Sequence, residues 1–401
     1  MKIGDFHLTY CGNIHPGEHW PDVFSNLKNY IPLLKSQFAP HDSFGIGLRL
    51  ANPASEELLQ KNQLDLFKEW LNQNDLYVFT LNGFPYGEFH RRIVKETVYA
   101  PDWSTEKRLK YTIRLAKILA ALLPEEMDGS ISTSPISYKP WFKNSDDRHA
   151  CLDQSCLHLI QMVMELINIE NKSGKWIHLD LEPEPNGMLG NSTELIDFFQ
   201  ERLLPKGGTR LSSLLGISLT KAREFILRHI GLCYDTCHFA VSFENPTDVL
   251  ERLRQAGIHI GKVQISAALK LKLRDSEESR QVALKRLKPF AESTYLHQVI
   301  EKKPDGSHHT YSDLTEALPS LQEASGNEWR IHFHVPVFVE DYQTVMSTQE
   351  DIKTLLRLLK ENPFCPLLEI ETYTWEVLPE EMKKDLSASI QREYDWVLKQ
   401  F

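Results

Sequence analysis

Short apolar runs alternate with longer amphipathic stretches along almost the whole chain. In the stretches, apolar residues recur at three- and four-residue steps, as in Leu109, Ile113 and Ala116, which predicts helices with one apolar face. The β-prone runs predict eight strands, near 3–10, 44–50, 76–82, 129–133, 175–182, 231–236, 262–266 and 367–372. Strands that alternate with helices indicate a parallel sheet. Eight of them favour an α/β fold of the TIM type, a closed (β/α)8 barrel.

The domain organisation follows from the spacing of these strands. No repeat, low-complexity tract or Pro/Gly/Ser-rich linker divides the 401 residues, so we expect one domain over 1–401. The widest gap, about 267–346, lies between the seventh and eighth strands and contains a charged helix near 275–290 and a hairpin around Lys303-Pro-Asp-Gly306. Because an excursion after a barrel strand emerges at the mouth, we expect this insertion to act as a lid.

Bulk properties narrow the class of protein. No apolar run approaches the roughly 20 residues of a membrane span, and the start, Met1–His7, lacks the apolar core of a signal peptide. The formal net charge of −10 argues against a nucleic-acid partner, because phosphate contacts need clustered Lys and Arg. We therefore expect a cytoplasmic protein without membrane insertion and without a nucleic-acid partner. The six cysteines lack zinc-ribbon spacing, and most of them are expected to be small buried residues.

The predicted strands end in polar residues. The run at 231–236 ends in Asp235 with His238 three residues later, and Glu182 ends the run at 175–182. The other polar positions are Gln264 in the seventh strand, Glu371 at the end of the eighth, and His332 and His334 in the insertion. Because the carboxyl ends of barrel strands meet at one mouth, these endings predict a single shared site.

The alternation within strands ranks the acids. His178, Asp180, Glu182 and, if the strand continues, Glu184 share one face, and lining a core with them is costly unless they are paired or bound to metal. We place Glu182 ahead of Glu184. Glu371 is placed ahead of Glu369, which lies deeper in its strand.

The order of these strand endings resembles the xylose isomerase-like barrels, the sugar isomerase and epimerase superfamily that also contains endonuclease IV. The resemblance implies that one divalent ion binds to Glu182, Asp235, Gln264 and Glu371, with His238 reaching the substrate. Such an oxygen-rich set suits Mg²⁺ or Mn²⁺, and Zn²⁺ remains possible with histidines nearby.

The same resemblance implies a reaction on an α-hydroxy ketone or aldehyde. The ion would acidify the C–H bond between the carbonyl and hydroxyl groups. Glu182 or Glu371 would remove the proton and the other would return it, while His238 steadied the developing oxyanion.

Longer segments resemble the EboE metabolite-traffic family. They are Gly4–Cys11, Thr80–Tyr86, Leu181–Pro185, Arg330–Pro336 and Glu371–Trp375. The likeness covers nearly the whole chain and implies a role beside an export system that moves secondary-metabolite precursors across the inner membrane. It does not settle the chemistry.

Further residues are candidates for metal or substrate contacts. His7, Arg49 and Asn82 lie near strand ends and either contact substrate or satisfy core hydrogen bonds; Arg49 would suit a phosphate or carboxylate group. His178 and Glu184 are additional candidates, and so are His297, His332 and His334 in the insertion. If these insertion histidines join the site, it could hold more than one ion.

Two other functions remain open. An endonuclease IV-like zinc phosphodiesterase is suggested by the similar segment Asp235-Thr-Cys-His238, although Arg49 and Asn82 stand where that enzyme would have further histidines. The other possibility is a non-catalytic barrel that binds a metabolite for an export pathway. A complete ligand set predicts metal binding more directly than turnover.

Overall fold

The computed structural model describes residues 1–273, 276–342, 344–383 and 385–401. The strands are β1 (Lys2–Ile3), β2 (Phe6–Tyr10), β3 (Phe44–Arg49), β4 (Leu76–Asn82), β5 (Gly129–Thr133), β6 (Ile177–Leu181), β7 (Ile230–Asp235), β8 (Ile260–Ile265), β9 (Ala267–Lys272), β10 (Val299–Lys302), β11 (His308–Tyr311), β12 (Glu328–Val335), β13 (Asp341–Tyr342), β14 (Val345–Ser347) and β15 (Leu367–Ile370). The α-helices are α1 (Trp20–Phe38), α2 (Asn52–Leu58), α3 (Gln63–Gln73), α4 (Glu106–Leu122), α5 (Ser145–Ser173), α6 (Ser192–Phe198), α7 (Gly208–Leu215), α8 (Leu219–His229), α9 (Thr236–Val241), α10 (Pro246–Ala256), α11 (Glu277–Leu287), α12 (Leu314–Ala317), α13 (Gln349–Glu361) and α14 (Leu386–Leu398). A π-helical stretch, Phe199–Gly207, joins α6 to α7.

Eight parallel strands form the barrel. Their order is β2, β15, β8, β7, β6, β5, β4 and β3, and β1 adds an antiparallel strand to β2. Each of these eight strands overlaps a predicted one, so the predicted (β/α)8 barrel is confirmed.

The barrel closes between β2 and β3. Cys11 and Gly47 form a parallel bridge, and the Thr9 hydroxyl donates to the Gly45 carbonyl oxygen at 3.0 Å and accepts from the Gly47 N–H at 2.9 Å. A Cβ atom at position 47 would overlap the Glu369 carboxylate and the Tyr10 carbonyl oxygen. Glycine therefore allows the first and second barrel strands to approach closely enough to close the sheet.

The insertion between the seventh and eighth barrel strands forms a second sheet. Its six antiparallel strands have the order β11, β10, β12, β9, β14 and β13. Only Ser266 separates β9 from the barrel strand β8, so this sheet starts at the carboxyl end of the barrel. The insertion also contains the predicted charged helix, which is α11, and the predicted hairpin, which is formed by β10 and β11. His308 and His309 are exposed on β11.

All six cysteines are buried and free of disulfide bonds; the sequence predicted burial for most of them. Within the described ranges, no helix combines the length and apolar character that crossing a bilayer requires.

Candidate metal centre

Three acidic residues meet at the carboxyl ends of the barrel strands. Glu182 directly follows β6, Asp235 ends β7 and Glu371 directly follows β15. One carboxylate oxygen of each lies within 4.8 Å of the others, and the residues are only 2%, 0% and 3% exposed, respectively. The structure thus brings together three of the four residues that the sequence predicted as metal ligands.

Burial and mutual repulsion disfavour ionisation of all three carboxyl groups at once. Burial, together with the neighbouring Asp235 charge, raises the pKa of Glu182 well above its ordinary value. Burial also raises the pKa of Glu371, and the neighbouring charges of Glu182 and Asp235 raise it further. Burial also disfavours ionisation of Asp235, but His238, His334 and hydrogen bonds to the carboxylate hold the pKa of Asp235 below its usual value. A divalent cation would allow all three groups to ionise together.

The hydrogen bonds leave carboxylate oxygens free. Asp235 Oδ1 accepts from the Ser266 hydroxyl at 2.6 Å, and Glu371 Oε1 accepts from Asn13 Nδ2 at 2.6 Å. Among the described residues, no hydrogen-bond partner reaches Glu182 Oε2 or Asp235 Oδ2. Buried oxygens without partners are costly, whereas a hard cation would use them as ligands. The residues present therefore fit a divalent metal ion.

Gln264, the fourth predicted ligand, lies beside Asp235 in the barrel, where β8 pairs with β7. Its Oε1 accepts from the Cys233 thiol at 2.9 Å, and its buried Nε2 has no partner in the part of the chain that the structure describes. A 180° flip of the side-chain amide would exchange Oε1 and Nε2. The role of Gln264 as a ligand stays a prediction.

Three buried histidines lie beside the carboxylates. His238 is on α9, and β12 carries His332 and His334, with ring centroids separated by 4.7 to 5.5 Å. Each ring approaches an oxygen through Nδ1: His238 the Pro183 carbonyl at 3.2 Å, His332 the Gln298 side-chain oxygen at 2.6 Å and His334 the Glu371 carbonyl at 2.8 Å.

These contacts fix the tautomer of the three rings. An oxygen acceptor requires each Nδ1 to donate, so Nε2 keeps its lone pair. Burial lowers the pKa of His238 to about 4 and also lowers the pKa values of His332 and His334. Neutral imidazole with an oriented Nδ1–H is the form that binds metal. Within the described structure, Nε2 of His332 and His334 has no partner.

Glu184 belongs to this histidine cluster. Its carboxylate lies within 4.8 Å of ring nitrogens of His238 and His332, and Gln298 Nε2 donates to its Oε1 at 3.2 Å. Burial raises the pKa of Glu184 to about 8, although Gln298 hydrogen-bonds to it. Glu182 and Glu184 thus both line the pocket, but Glu182 belongs to the carboxylate cluster and Glu184 to the histidine cluster.

The structure does not bring His7 and Arg49 into the pocket. His7 lies at the amino end of β2, with Nδ1 2.8 Å from the Tyr77 hydroxyl. The Arg49 guanidinium donates to the Gly17 carbonyl at 3.1 Å and to Glu18 Oε2 at 3.0 Å. Arg49 therefore anchors the loop of Gly17 and Glu18 to the end of β3.

His178 and His297 are also engaged elsewhere. His178 Nδ1 lies 2.8 Å from Asp180 Oδ2 in the interior of the barrel. His297 contacts the backbone carbonyl of His332 at 2.9 Å and Glu292 Oε1 at 2.8 Å. Of the three candidate histidines in the insertion, His332 and His334 line the pocket.

One residue of the site was not predicted from the sequence. Asn13, in the short 3-10 helix after β2, holds Glu371 together with Asn82, whose Nδ2 donates to Glu371 Oε1 at 3.0 Å. A polar residue after a strand end is the signal that would have found Asn13. Glu371, which the sequence placed ahead of Glu369, faces the pocket, whereas Glu369 accepts from the buried Lys262 ammonium at 2.6 Å.

Fold and site together define a (β/α)8 barrel with a candidate metal centre at its mouth. No family model and no curated protein matches the chain, so its assignment to the EboE family is not supported. Solved structures that resemble it include the IolI protein with a bound zinc atom, with 13% identity, TM-score 0.48 and coverage of 98% of this chain and 97% of that one. A D-tagatose 3-epimerase-like protein has 11% identity, TM-score 0.47 and coverage of 98% and 99%.

A third similar structure is a xylose isomerase-like TIM barrel protein from Mycobacterium smegmatis in complex with magnesium. It has 11% identity, TM-score 0.46 and coverage of 98% of both chains. Similarity at this level carries no information about the chemistry of the present site.

Proposed function

We propose that this protein is a metal-dependent isomerase or epimerase that moves a proton within a small α-hydroxy-carbonyl compound. The observation that supports the proposal is the cluster of Glu182, Asp235 and Glu371, whose buried carboxylates approach within 4.8 Å with oxygens left unpartnered by the described residues. Gln264 would complete the ligand set. The oxygen-rich set favours Mg²⁺ or Mn²⁺, and Zn²⁺ stays a candidate because neutral histidines lie beside it.

A bound divalent ion would supply Lewis-acid polarisation of the carbonyl and hydroxyl oxygens and so acidify the C–H bond between them. Glu182 or Glu371 would accept the proton, and the other carboxyl would return it. Asn13 and Asn82 hold Glu371 in place through its Oε1. Because Glu371 is buried, little water competes with its hydrogen bonds to Asn13 and Asn82, and both bonds are stronger for it.

His238 would contact the substrate in a particular way. Because its Nδ1 donates to the Pro183 carbonyl, the neutral ring offers Nε2 as an acceptor. His238 would therefore accept a hydrogen bond from a substrate hydroxyl instead of donating one to an oxyanion. This differs from the oxyanion role expected from the sequence resemblance.

The wider biological role is also part of the proposal. The segments that resemble the EboE family support a place in secondary-metabolite precursor trafficking, in association with an export system. A barrel in such a pathway could also bind its metabolite without turning it over. The insertion at about 267–346, whose strand β12 carries two histidines that line the pocket, would close over the bound molecule as a lid of the single domain.

A second candidate function is an endonuclease IV-like zinc phosphodiesterase. It is favoured by the cluster of Glu184, His238 and His332 next to the carboxylates, because adjacent metal ions could stabilise both the attacking and leaving oxygens of a phosphodiester. The number of ions separates the two functions. Two or three zinc ions per chain favour the phosphodiesterase, and one Mg²⁺ or Mn²⁺ favours the isomerase.

The test of the proposed reaction is proton exchange. Metal-loaded protein is incubated with a panel of α-hydroxy ketones and aldehydes in deuterated water, and deuterium at the carbon beside the carbonyl is measured by NMR. We expect exchange that is lost in Glu182→Gln and Glu371→Gln while metal remains bound. Glu224→Gln, at an exposed position on α8, is the matched control and should exchange normally.

The two ways of failing have different meanings. Unchanged exchange in Glu182→Gln and Glu371→Gln would refute the roles given to these carboxyls. Tight binding of a compound without any exchange would instead favour the non-catalytic metabolite carrier.

A further inference from the structure

The pocket beside the metal ligands is lined by two unlike groups of residues. One group comprises the carboxylates and histidines described above. The other group is mainly apolar and comprises Phe84, Phe89, Val94, Val98, Tyr295 and Leu296. We call these six residues the apolar wall.

The apolar wall is packed independently of the main core. One small cluster joins Phe84 to Tyr99 and Tyr138, with Val98 and Leu296 against it. A second joins Phe89, Val94 and Tyr295, with Tyr373 against it. The wall residues come from the loop after β4 and from the insertion, so they are held in place by elements outside the barrel.

An aromatic surface leads from the histidines to the apolar wall. The Tyr373 ring lies 4.6 Å from His334, 5.2 Å from Phe89 and 5.0 Å from Tyr295, measured between ring centroids. Phe89 and Tyr295 are 5.1 Å apart. These are the separations at which aromatic rings attract one another, so a ring of the ligand would find matching partners beside the metal ligands.

Two of the polar groups beside the wall are already engaged. The Lys95 ammonium donates to Asp313 at 2.6 Å, and the Tyr295 hydroxyl lies 3.1 Å from His90 Nδ1. A polyhydroxylated substrate would bury hydroxyl groups against this wall without replacing the hydrogen bonds they make in water, which is costly. An apolar group would gain free energy from the same burial.

We propose that the apolar wall is a binding subsite for an aromatic ring. This inference rests on the proposed function and specifies its substrate class: an aryl-bearing α-hydroxy-carbonyl compound instead of a free sugar. The oxygens of such a compound would lie at the carboxylate cluster and its ring against Phe89 and Tyr295.

The test compares two chelating probes that differ in their apolar part, benzohydroxamate and acetohydroxamate. Their affinities for metal-loaded protein are measured by titration calorimetry. Burial of one phenyl group predicts that benzohydroxamate binds at least about tenfold more tightly. In Phe89→Ser and in Leu296→Ser, the ratio of the two affinities should fall several-fold. Leu214→Ser, at an exposed position on α7, is the control and should keep the ratio.

A second arm does not depend on metal. In metal-free protein, saturation-transfer NMR should detect benzyl alcohol but not glycerol, and the benzyl alcohol signal should weaken in Leu296→Ser. Metal content is measured on the same samples. Absence of metal uptake would contradict the proposed function. An affinity ratio near one in fully loaded protein, or equal NMR signals from both alcohols, would overturn the aromatic subsite.

Discussion

Replacing Glu184 by glutamine should stabilise the metal-free protein, even though Glu184 lies in the candidate site. The carboxyl is 5% exposed, and its Oε2 has no hydrogen-bond partner within the described residues. Burial raises its pKa from 4.5 to about 8. The folded protein therefore keeps a proton that the unfolded chain releases, and folding costs free energy wherever the two states differ in protonation.

The size of this cost follows from the pKa difference. For an acid with a raised pKa in the folded state, stability is full below the ordinary value and is lost as pH rises toward the folded value. The loss is about 1.4 kcal/mol per pH unit. Between pH 4.5 and 7 it amounts to roughly 3 kcal/mol, and at pH 5 it is below about 1 kcal/mol. Glutamine has the same shape and no proton to lose, so Glu184→Gln should recover these amounts.

Urea unfolding in the presence of a chelator, at pH 5, 6 and 7, measures the effect. Glu393→Gln is the matched control, because burial also raises the pKa of Glu393 to about 8 but Glu393 does not line the pocket. In both variants, the gain in unfolding free energy over the wild type should grow as pH rises. Saturating metal stabilises only the folded state, and because the proposed single ion is held by Glu182, Asp235 and Glu371, both variants should keep the extra stability that metal gives.

Two results would refute this reasoning. If Glu184→Gln gave no gain at pH 7, the carboxyl would not be desolvated as the structure shows. If metal stabilised Glu184→Gln less than the wild type, metal binding would not be confined to the cluster of Glu182, Asp235 and Glu371.

Three further predictions concern residues around the site. Lys262→Met should cost about 3–5 kcal/mol in a denaturant titration by leaving Glu369 buried without its partner, and adding Glu369→Leu should restore most of this; no restoration would contradict the pairing. Arg49→Ala should cost about 3 kcal/mol through loss of its bonds to Glu18 while metal content stays unchanged, and a parallel loss of metal would show that Arg49 supports the site. Because the pKa of His238 is about 4, the rate of proton exchange should show no imidazole ionisation between pH 5 and 9; a step near pH 6.5 that disappears in His238→Asn would contradict this.

The barrel and its three acids could be predicted because they depend on local patterns. Alternating apolar runs predict the strands, and parallel strands necessarily place their carboxyl ends at one mouth. Glu182, Asp235 and Glu371 each stand at or just after such an end. Their convergence follows from topology and needs no knowledge of side-chain packing.

The remaining parts of the site depend on contacts between distant segments. His332 and His334 face the pocket because they lie at alternate positions of β12, whose antiparallel pairing with β9 and β10 sets which side chains point inward. His297 is instead held by the His332 carbonyl and by Glu292. The engagement of Arg49 by Glu18 depends on a loop that lies 31 residues away in sequence. No periodicity in the chain reports such contacts.

The most direct test of the account is an anomalous-diffraction map of crystals grown with Mn²⁺, combined with elemental analysis of the same protein. We predict a strong anomalous peak among the carboxylates of Glu182, Asp235 and Glu371. A map with no peak at this position, from protein whose barrel mouth is well ordered, would contradict the metal centre and the proposed chemistry with it.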